Sequence, residues 1–157
     1  MSDFFDPLTQ EMALRVLVAA VLGIIIGFER FYKHKEAGIR THALVAMGAA
    51  LFTVISIFGF EGTGFRDPAR VAAQVVVGIG FIGAGLIFLK ESAVRGLTTA
   101  AGVWAAAAIG MAAGVGFFAL ATYVTIITLF LLWGVRLVEK RLPRLPKKEE
   151  GEDDDDA

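Results

Sequence analysis

At 157 residues, 56% of them hydrophobic and with a mean hydropathy of +0.67, the chain lacks the polar side chains that a soluble domain of its size needs for its surface, and it reads as an integral membrane protein. Its 15 Lys and Arg almost balance 16 Asp and Glu, but the two signs are segregated along the chain. No Cys is present, which excludes a disulfide framework and a thiolate metal site.

The first apolar run, 12–28, is near the lower length limit for a membrane span. Asp3, Asp6 and Glu11 stand where a signal peptide would carry basic residues, and Gly27-Phe28-Glu29-Arg30 is no small-residue cleavage site, so this helix is expected to be retained. Runs 41–60 and 71–89 are comfortably long, and Asp67-Pro68 supplies an N-cap and a first-turn proline ahead of the third. From Gly96 to Val135 no residue is charged. At about 1.5 Å per residue that stretch extends roughly 60 Å, about twice the hydrocarbon thickness of a bilayer. Gly114-Val115-Gly116 is the expected turn, dividing it into spans 97–114 and 116–137. The expectation is an all-α, polytopic five-span bundle over 1–142. A tail, 143–157, follows, basic and then acidic, interrupted by Pro143 and Pro146, and reads as disordered.

Basic residues set the expected orientation. Arg30, Lys33, Lys35 and Arg40 fall in the first loop, Lys90 and Arg95 in the third, and Arg136, Lys140, Arg141, Arg144, Lys147 and Lys148 after the last span; Arg15, Arg66 and Arg70 lie on the other side. The positive-inside rule then places the N-terminus outside and the C-terminus in the cytoplasm.

Small residues recur at helical spacing. Arg15, Ala19, Gly23 and Gly27 share one face of the first helix, and Thr98, Gly102, Ala106, Gly110 and Gly114 share one face of the fourth. In lipid such stripes let backbones approach and gain dispersion contacts, so both faces are expected inside the bundle. The fifth helix, with Ile126, Ile127, Leu129, Phe130, Leu131 and Leu132, is expected to face lipid. Gly78-Ile79-Gly80-Phe81-Ile82-Gly83 matches a dinucleotide fingerprint, but inside an apolar span its amides must stay in helical bonds. Gly78, Gly80, Gly83 and Gly85 are therefore expected to serve helix packing or a local helix break.

Two polar groups flank the membrane. At the outer boundary are Arg15, Asp67, Arg70 and Gln74; Arg15 either pairs inward, with Asp67 or the Gln74 carbonyl, or extends to the interface. At the inner boundary topology gathers Glu29, Arg30, Arg40, Thr41, His42, Arg95, Thr98 and Thr99. This set reads either as interfacial anchors or as an ordered network for an anion, a lipid headgroup or a partner.

The chain resembles the membrane domain of the MgtC/SapB family. The resemblance rests on Gly27-Phe28-Glu29-Arg30, on Ala37-Gly38-Ile39-Arg40-Thr41-His42-Ala43-Leu44-Val45, on Ala72-Ala73-Gln74 leading into Gly78 to Gly85, and on Val94-Arg95-Gly96-Leu97-Thr98-Thr99-Ala100-Ala101 with Trp104. It implies a bacterial inner-membrane protein of about five spans, labelled a magnesium-transport accessory. Relatives act in growth at low magnesium and in intracellular virulence, with inhibition of the F-type ATP synthase proposed. The virulence-associated members carry a soluble C-terminal domain that is not expected here, and some have asparagine at the position of Thr98.

Three roles follow: a magnesium or other ion transporter, a regulator acting by protein contact, and a lipid- or small-anion-binding protein. The regulator is favoured by resemblance; a homo-oligomer is compatible with it. No enzyme activity, cofactor or nucleic-acid partner is expected, and no metal-ligand set has a recognisable spacing. Glu11, Glu29, Glu61, Asp67, Glu91 and Glu139 all sit at span ends, which argues against a magnesium path through the spans. For topology, single cysteines at Ser2, Thr63, Ser92 and Gly151 have no background. An impermeant thiol reagent added to intact cells is predicted to label Ser2→Cys and Thr63→Cys only; labelling at Ser92→Cys refutes the five-span arrangement.

Overall fold

The computed structural model describes residues 6–60 and 67–135. The basic segment from 136 and the tail 143–157 lie outside the described residues, as does Arg66. Five helices run α1 (Pro7–Tyr32), α2 (Ile39–Phe58), α3 (Pro68–Gly85), α4 (Leu97–Val115) and α5 (Phe118–Phe130). Strands β1 (Phe88–Lys90) and β2 (Ala93–Arg95) join α3 to α4, and a π-helical turn, Leu131–Val135, continues α5. α1, α2, α4 and α5 with its π turn are long and apolar enough to cross a membrane. The apolar part of α3, Ala69–Gly85, falls just short of that length.

Helix ends follow local chemistry. The Asp67 carboxylate accepts from the Ala69 amide at 2.9 Å, with Pro68 opening α3. The same Asp-Pro pairing starts α1 earlier than its apolar run: Asp6 accepts from the Thr9 amide at 3.3 Å and Pro7 follows. Gly116, at φ +100°, ends α4 in the left-handed conformation that only glycine adopts without strain, at the expected turn.

The third span differs from expectation at its end. α3 stops at Gly85 rather than near Leu89, and Phe88, Leu89 and Lys90 pair antiparallel with Arg95, Val94 and Ala93. Leu86 and Ile87 bond back to Gly83 and Ala84, both at 3.1 Å, tightening the helix end, where glycines give poor helix support. Glu91 and Ser92 both have positive φ, 50° and 59°, as a two-residue type I′ hairpin turn requires. Gly96, at φ +88°, passes so close to α3 that a Cβ would overlap the Leu86 carbonyl oxygen.

The core is α2 held between α1 and α4. A Cβ on Gly23 would lie 2.6 Å from the His42 carbonyl oxygen, and one on Gly27 2.6 Å from Ile39 Cα. From the other side, a Cβ on Gly110 would lie 2.8 Å from Ala46 Cα and one on Gly114 2.7 Å from the Ala50 carbonyl oxygen. These are backbone-to-backbone contacts, which permit no side chain. Around them Ala19, Ile26, Ala46, Ala50, Val103, Ala106, Ile109 and Ala113 are buried. α5 buries Ala121, Thr125 and Thr128 and turns Ile126, Ile127, Phe130 and Leu131 outward. Thr53 and Thr125 satisfy their hydroxyls on carbonyls four residues back, so polar atoms cross the apolar interior already paired.

α3 is peripheral. Ile79 is its buried apolar side chain among the described residues, while Phe81 is 85% exposed. A Cβ on Gly78, Gly80 or Gly85 would meet no atom within 4 Å, and one on Gly83 would meet Ala100 Cβ at 3.8 Å. Among the described residues, close backbone packing of the kind seen at Gly23 and Gly110 is therefore absent at these four glycines. Two classes of glycine follow. In detergent, Gly110→Leu is predicted to lower the melting temperature by the equivalent of about 3 kcal/mol or more, because overpacking against backbone cannot relax by a rotamer change. Leu131→Ala and Gly78→Ala should each shift it by much less; a Gly78→Ala loss equal to that of Gly110→Leu would refute the distinction.

Candidate functional site: the polar ends of the bundle

At one end, the C-terminus of α1, the α1–α2 loop, β2, the N-terminus of α4 and the π turn after α5 surround a cavity of about 440 Å³. Arg30, Lys35, Glu36, Arg95, Thr98 and Thr99 form its polar wall, and Val94, Leu97, Leu131, Leu132 and Val135 its aliphatic wall. Arg30 is only 2% exposed; its Nε donates to Glu29 Oε2. Thr99 donates its hydroxyl to Glu36 Oε2 at 3.2 Å, tying the α1–α2 loop to the start of α4.

Of the eight residues expected at this end, Arg30, Arg95, Thr98 and Thr99 line the cavity and Glu29 pairs with Arg30. Thr98 departs from the small-residue stripe: Gly102, Ala106, Gly110 and Gly114 are buried, whereas Thr98, one turn earlier, is exposed and opens onto the cavity. Arg40 is exposed, Thr41 half-buried, and neither lines it. His42 is fully buried behind it. Its Nδ1 lies 3.0 Å from the Gly38 carbonyl oxygen, and since a carbonyl only accepts, Nδ1 carries the proton. Its Nε2 is without a hydrogen bond and faces Gly102, where a Cβ would stand 3.4 Å from it, at ordinary contact distance. Glu29 Oε1 is a second buried atom without a partner.

Lys35 and Glu36 were not anticipated as site residues. The available signal was an acidic residue directly after Lys33, His34 and Lys35. The Glu36 carboxyl is held below the usual carboxylate range, first by its own main-chain amide, then by the Thr99 hydroxyl, Lys35 and Arg95, against slight desolvation. Because its folded pKa is lowered, the stability it contributes is present above the ordinary carboxylate pKa and is lost as pH falls through the lowered one.

The opposite end is organised around Arg15. Its guanidinium Nη1 donates to the carbonyls of Gly114 and Val115, at 3.1 and 3.0 Å, and Nη2 pairs with Glu11 one turn earlier. The cation lies over the Phe58 ring, 5.2 Å from its centroid. Arg15 thus closes the C-terminus of α4, where orphan carbonyls and the helix dipole favour a cation. The partners expected for it do not meet it: Asp67 caps its own helix, and Arg70 and Gln74 are exposed on α3. Gln74 instead borders an apolar groove of about 580 Å³ between α2 and α3, beside Gly48 and Gly78.

The family model for the MgtC family matches residues 16–141, which include the cavity residues and the close helix contacts at Gly23, Gly27, Gly110 and Gly114 and begin just after Arg15. The chain belongs to the MgtC family. It is 46% identical over 131 residues to the putative magnesium transporter YhiD of Escherichia coli K12, covering 80% of this chain and 60% of that protein. With protein MgtC of Salmonella typhimurium LT2 it shares 45% identity over 139 residues, 88% of this chain and 58% of the relative. Protein MgtC of Brucella abortus is 48% identical over 114 residues, 73% of this chain and 45% of the relative. The chain thus spans about 60% or less of the length of these relatives. No solved structure matches it significantly.

Within this family member the Arg15 clamp makes a separable prediction. Arg15→Leu leaves the carbonyls of Gly114 and Val115 and the Glu11 carboxylate unpaired, and is expected to cost about 1–3 kcal/mol. Arg15→Lys, which keeps the charge but not the forked donors, should recover part of it. Thermal unfolding in detergent checks this, and an unchanged melting temperature in Arg15→Leu refutes it.

Proposed function

We propose that this MgtC-family chain is a non-catalytic regulator of the bacterial inner membrane, acting by contact with another membrane protein in adaptation to magnesium limitation or stress. The observation that carries the reading is the groove between α2 and α3. Gly48 and Gly78 have no neighbour there within 4 Å, and Gln74 makes no hydrogen bond among the described residues. Lipid offers a side-chain amide no partner, whereas an incoming helix packs on glycine and supplies one. Support also comes from the interior, where backbone contacts at Gly23, Gly27, Gly110 and Gly114 bring α1, α2 and α4 close together.

Transport is the second reading, because YhiD is named a putative magnesium transporter. Magnesium takes oxygen ligands and keeps several waters, which asks for a wide, carboxylate-lined path. The acidic side chains described here stand at helix ends, and Glu29 Oε1 is the buried carboxylate oxygen without a partner.

Two measurements separate the readings. An affinity pull-down from native membranes in mild detergent is predicted to recover a membrane-protein partner, the F-type ATP synthase being one to probe by family resemblance. Gly78→Leu should reduce its recovery at least about tenfold without lowering the melting temperature, since that position has open space around it. Recovery of this chain's own second copy alone would make the contact a homo-oligomer. In liposomes, magnesium uptake should not exceed that of empty vesicles. Saturable uptake abolished by Glu29→Gln, or by changes at Gly80 and Gly83, replaces the regulator with the transporter.

A further inference from the structure

The cavity at the ends of α1 and α4 collects several donors that meet no acceptor among the described residues. α4 is 19 residues long and starts after Gly96 with no side-chain cap, and the amides of Leu97, Thr98 and Thr99 meet no acceptor among the described residues. An uncapped N-terminus alone is ordinary. The independent observation is Arg30: its side chain is 3% exposed, its Nε is engaged by Glu29, and its two terminal nitrogens have no hydrogen bond among the described residues although it lines the cavity. These two nitrogens are not among the fully enclosed unpaired atoms, so they keep access to the cavity and to an acceptor placed in it.

Charge selects the class of ligand. Arg30, Lys35 and Arg95 face the space, Glu29 neutralises the first in part, and the lining carboxylate, Glu36, is held aside by the Thr99 hydroxyl. The balance stays positive at the point where the α4 dipole adds its own positive end. Forked guanidinium donors, main-chain amides at a helix start and a free hydroxyl, that of Thr98, are together the donor set that matches a tetrahedral oxyanion. The other wall is aliphatic, from Val94, Leu97, Leu131, Leu132 and Val135. At about 440 Å³ the space exceeds what a bare phosphate fills, leaving room for an apolar group beside it.

We propose that this cavity binds a phosphate group, carried by an anionic phospholipid or free in solution, through Arg30, Arg95, Thr98 and the first amides of α4. The site does not depend on the regulator reading, since the α2–α3 groove plays no part in it.

The test uses the purified full chain in detergent, followed by thermal unfolding of tryptophan fluorescence. Mixed micelles of phosphatidylglycerol, mixed micelles of phosphatidylcholine, and sodium phosphate against sodium chloride at equal ionic strength are titrated separately. A saturable rise in melting temperature with phosphatidylglycerol and not with inorganic phosphate identifies the lipid headgroup; a saturable rise with inorganic phosphate identifies the free ion. In either case Arg30→Lys and Thr98→Val should weaken the apparent affinity about tenfold or more, the usual loss for a charge-assisted hydrogen bond. Should Arg30→Lys fail to fold, Arg95→Gln, on the exposed hairpin, tests the same site. No saturable shift from either phosphate source, an equal response to phosphatidylcholine, or a response unchanged in both Thr98→Val and Arg95→Gln overturns the proposal. The last result would assign the effect to basic residues elsewhere in the chain.

Discussion

The fold depends on backbone approach. Helices in lipid gain nothing from hiding apolar surface, so association must come from dispersion contacts and from hydrogen bonds that lipid cannot supply. Gly23 and Gly27 bring α1 onto the start of α2, and Gly110 and Gly114 bring α4 onto the same helix at Ala46 and Ala50. α2 contributes alanines where α1 and α4 contribute glycines, and the three backbones sit closer than any larger residue allows. With these contacts fixed, the ends of α1, α2 and α4 have no freedom to separate. The polar groups near those ends are positioned by the packing rather than by one another.

That rigidity explains how buried charge is tolerated. Arg15 is held at the end of α4 by two carbonyls, a carboxylate and an aromatic ring, so its desolvation is offset on every side but its Nε. Arg30, at the other end, is more deeply buried, its side chain 3% exposed against 12% for Arg15, and has one carboxylate partner. The two arginines belong to one helix, α1, near its first and last turns. At Arg15 the terminal nitrogens are all paired and Nε is left over; at Arg30 Nε is paired and the terminal nitrogens are left to the cavity.

Much of this was legible in the sequence. The spans, the turn at Gly116 and the small-residue stripes of α1 and α4 follow from hydropathy and helical spacing, which depend on local sequence and on the bilayer rather than on long-range contacts. Three features were not. The end of α3 was overrun because Leu86 to Leu89 are as apolar as a membrane span, and hydropathy cannot distinguish a strand of an exposed hairpin from a last helical turn. The partner of Arg15 was misplaced because its acceptors are main-chain carbonyls of Gly114 and Val115, which no side-chain pattern announces. At the candidate site, topology gathers Arg30, Arg95 and Thr99 at one end of the bundle, and all three line the cavity. Glu36 was missed because loop geometry, not periodicity, brings it to Thr99.

The glycines carry the last point. Gly23 and Gly78 look alike in the sequence, each in a membrane helix among small residues, yet one stands against the backbone of α2 and the other against nothing in the chain. A glycine in a helix costs about 1 kcal/mol relative to alanine. At Gly23 the contact with α2 repays that cost. At Gly78, Gly80 and Gly85 no described neighbour does, and Gln74, on the same helix, makes no hydrogen bond among the described residues. Several local penalties are thus gathered on one peripheral helix, against a core where each such penalty is matched by a contact, and helical spacing alone cannot tell the two kinds of glycine apart.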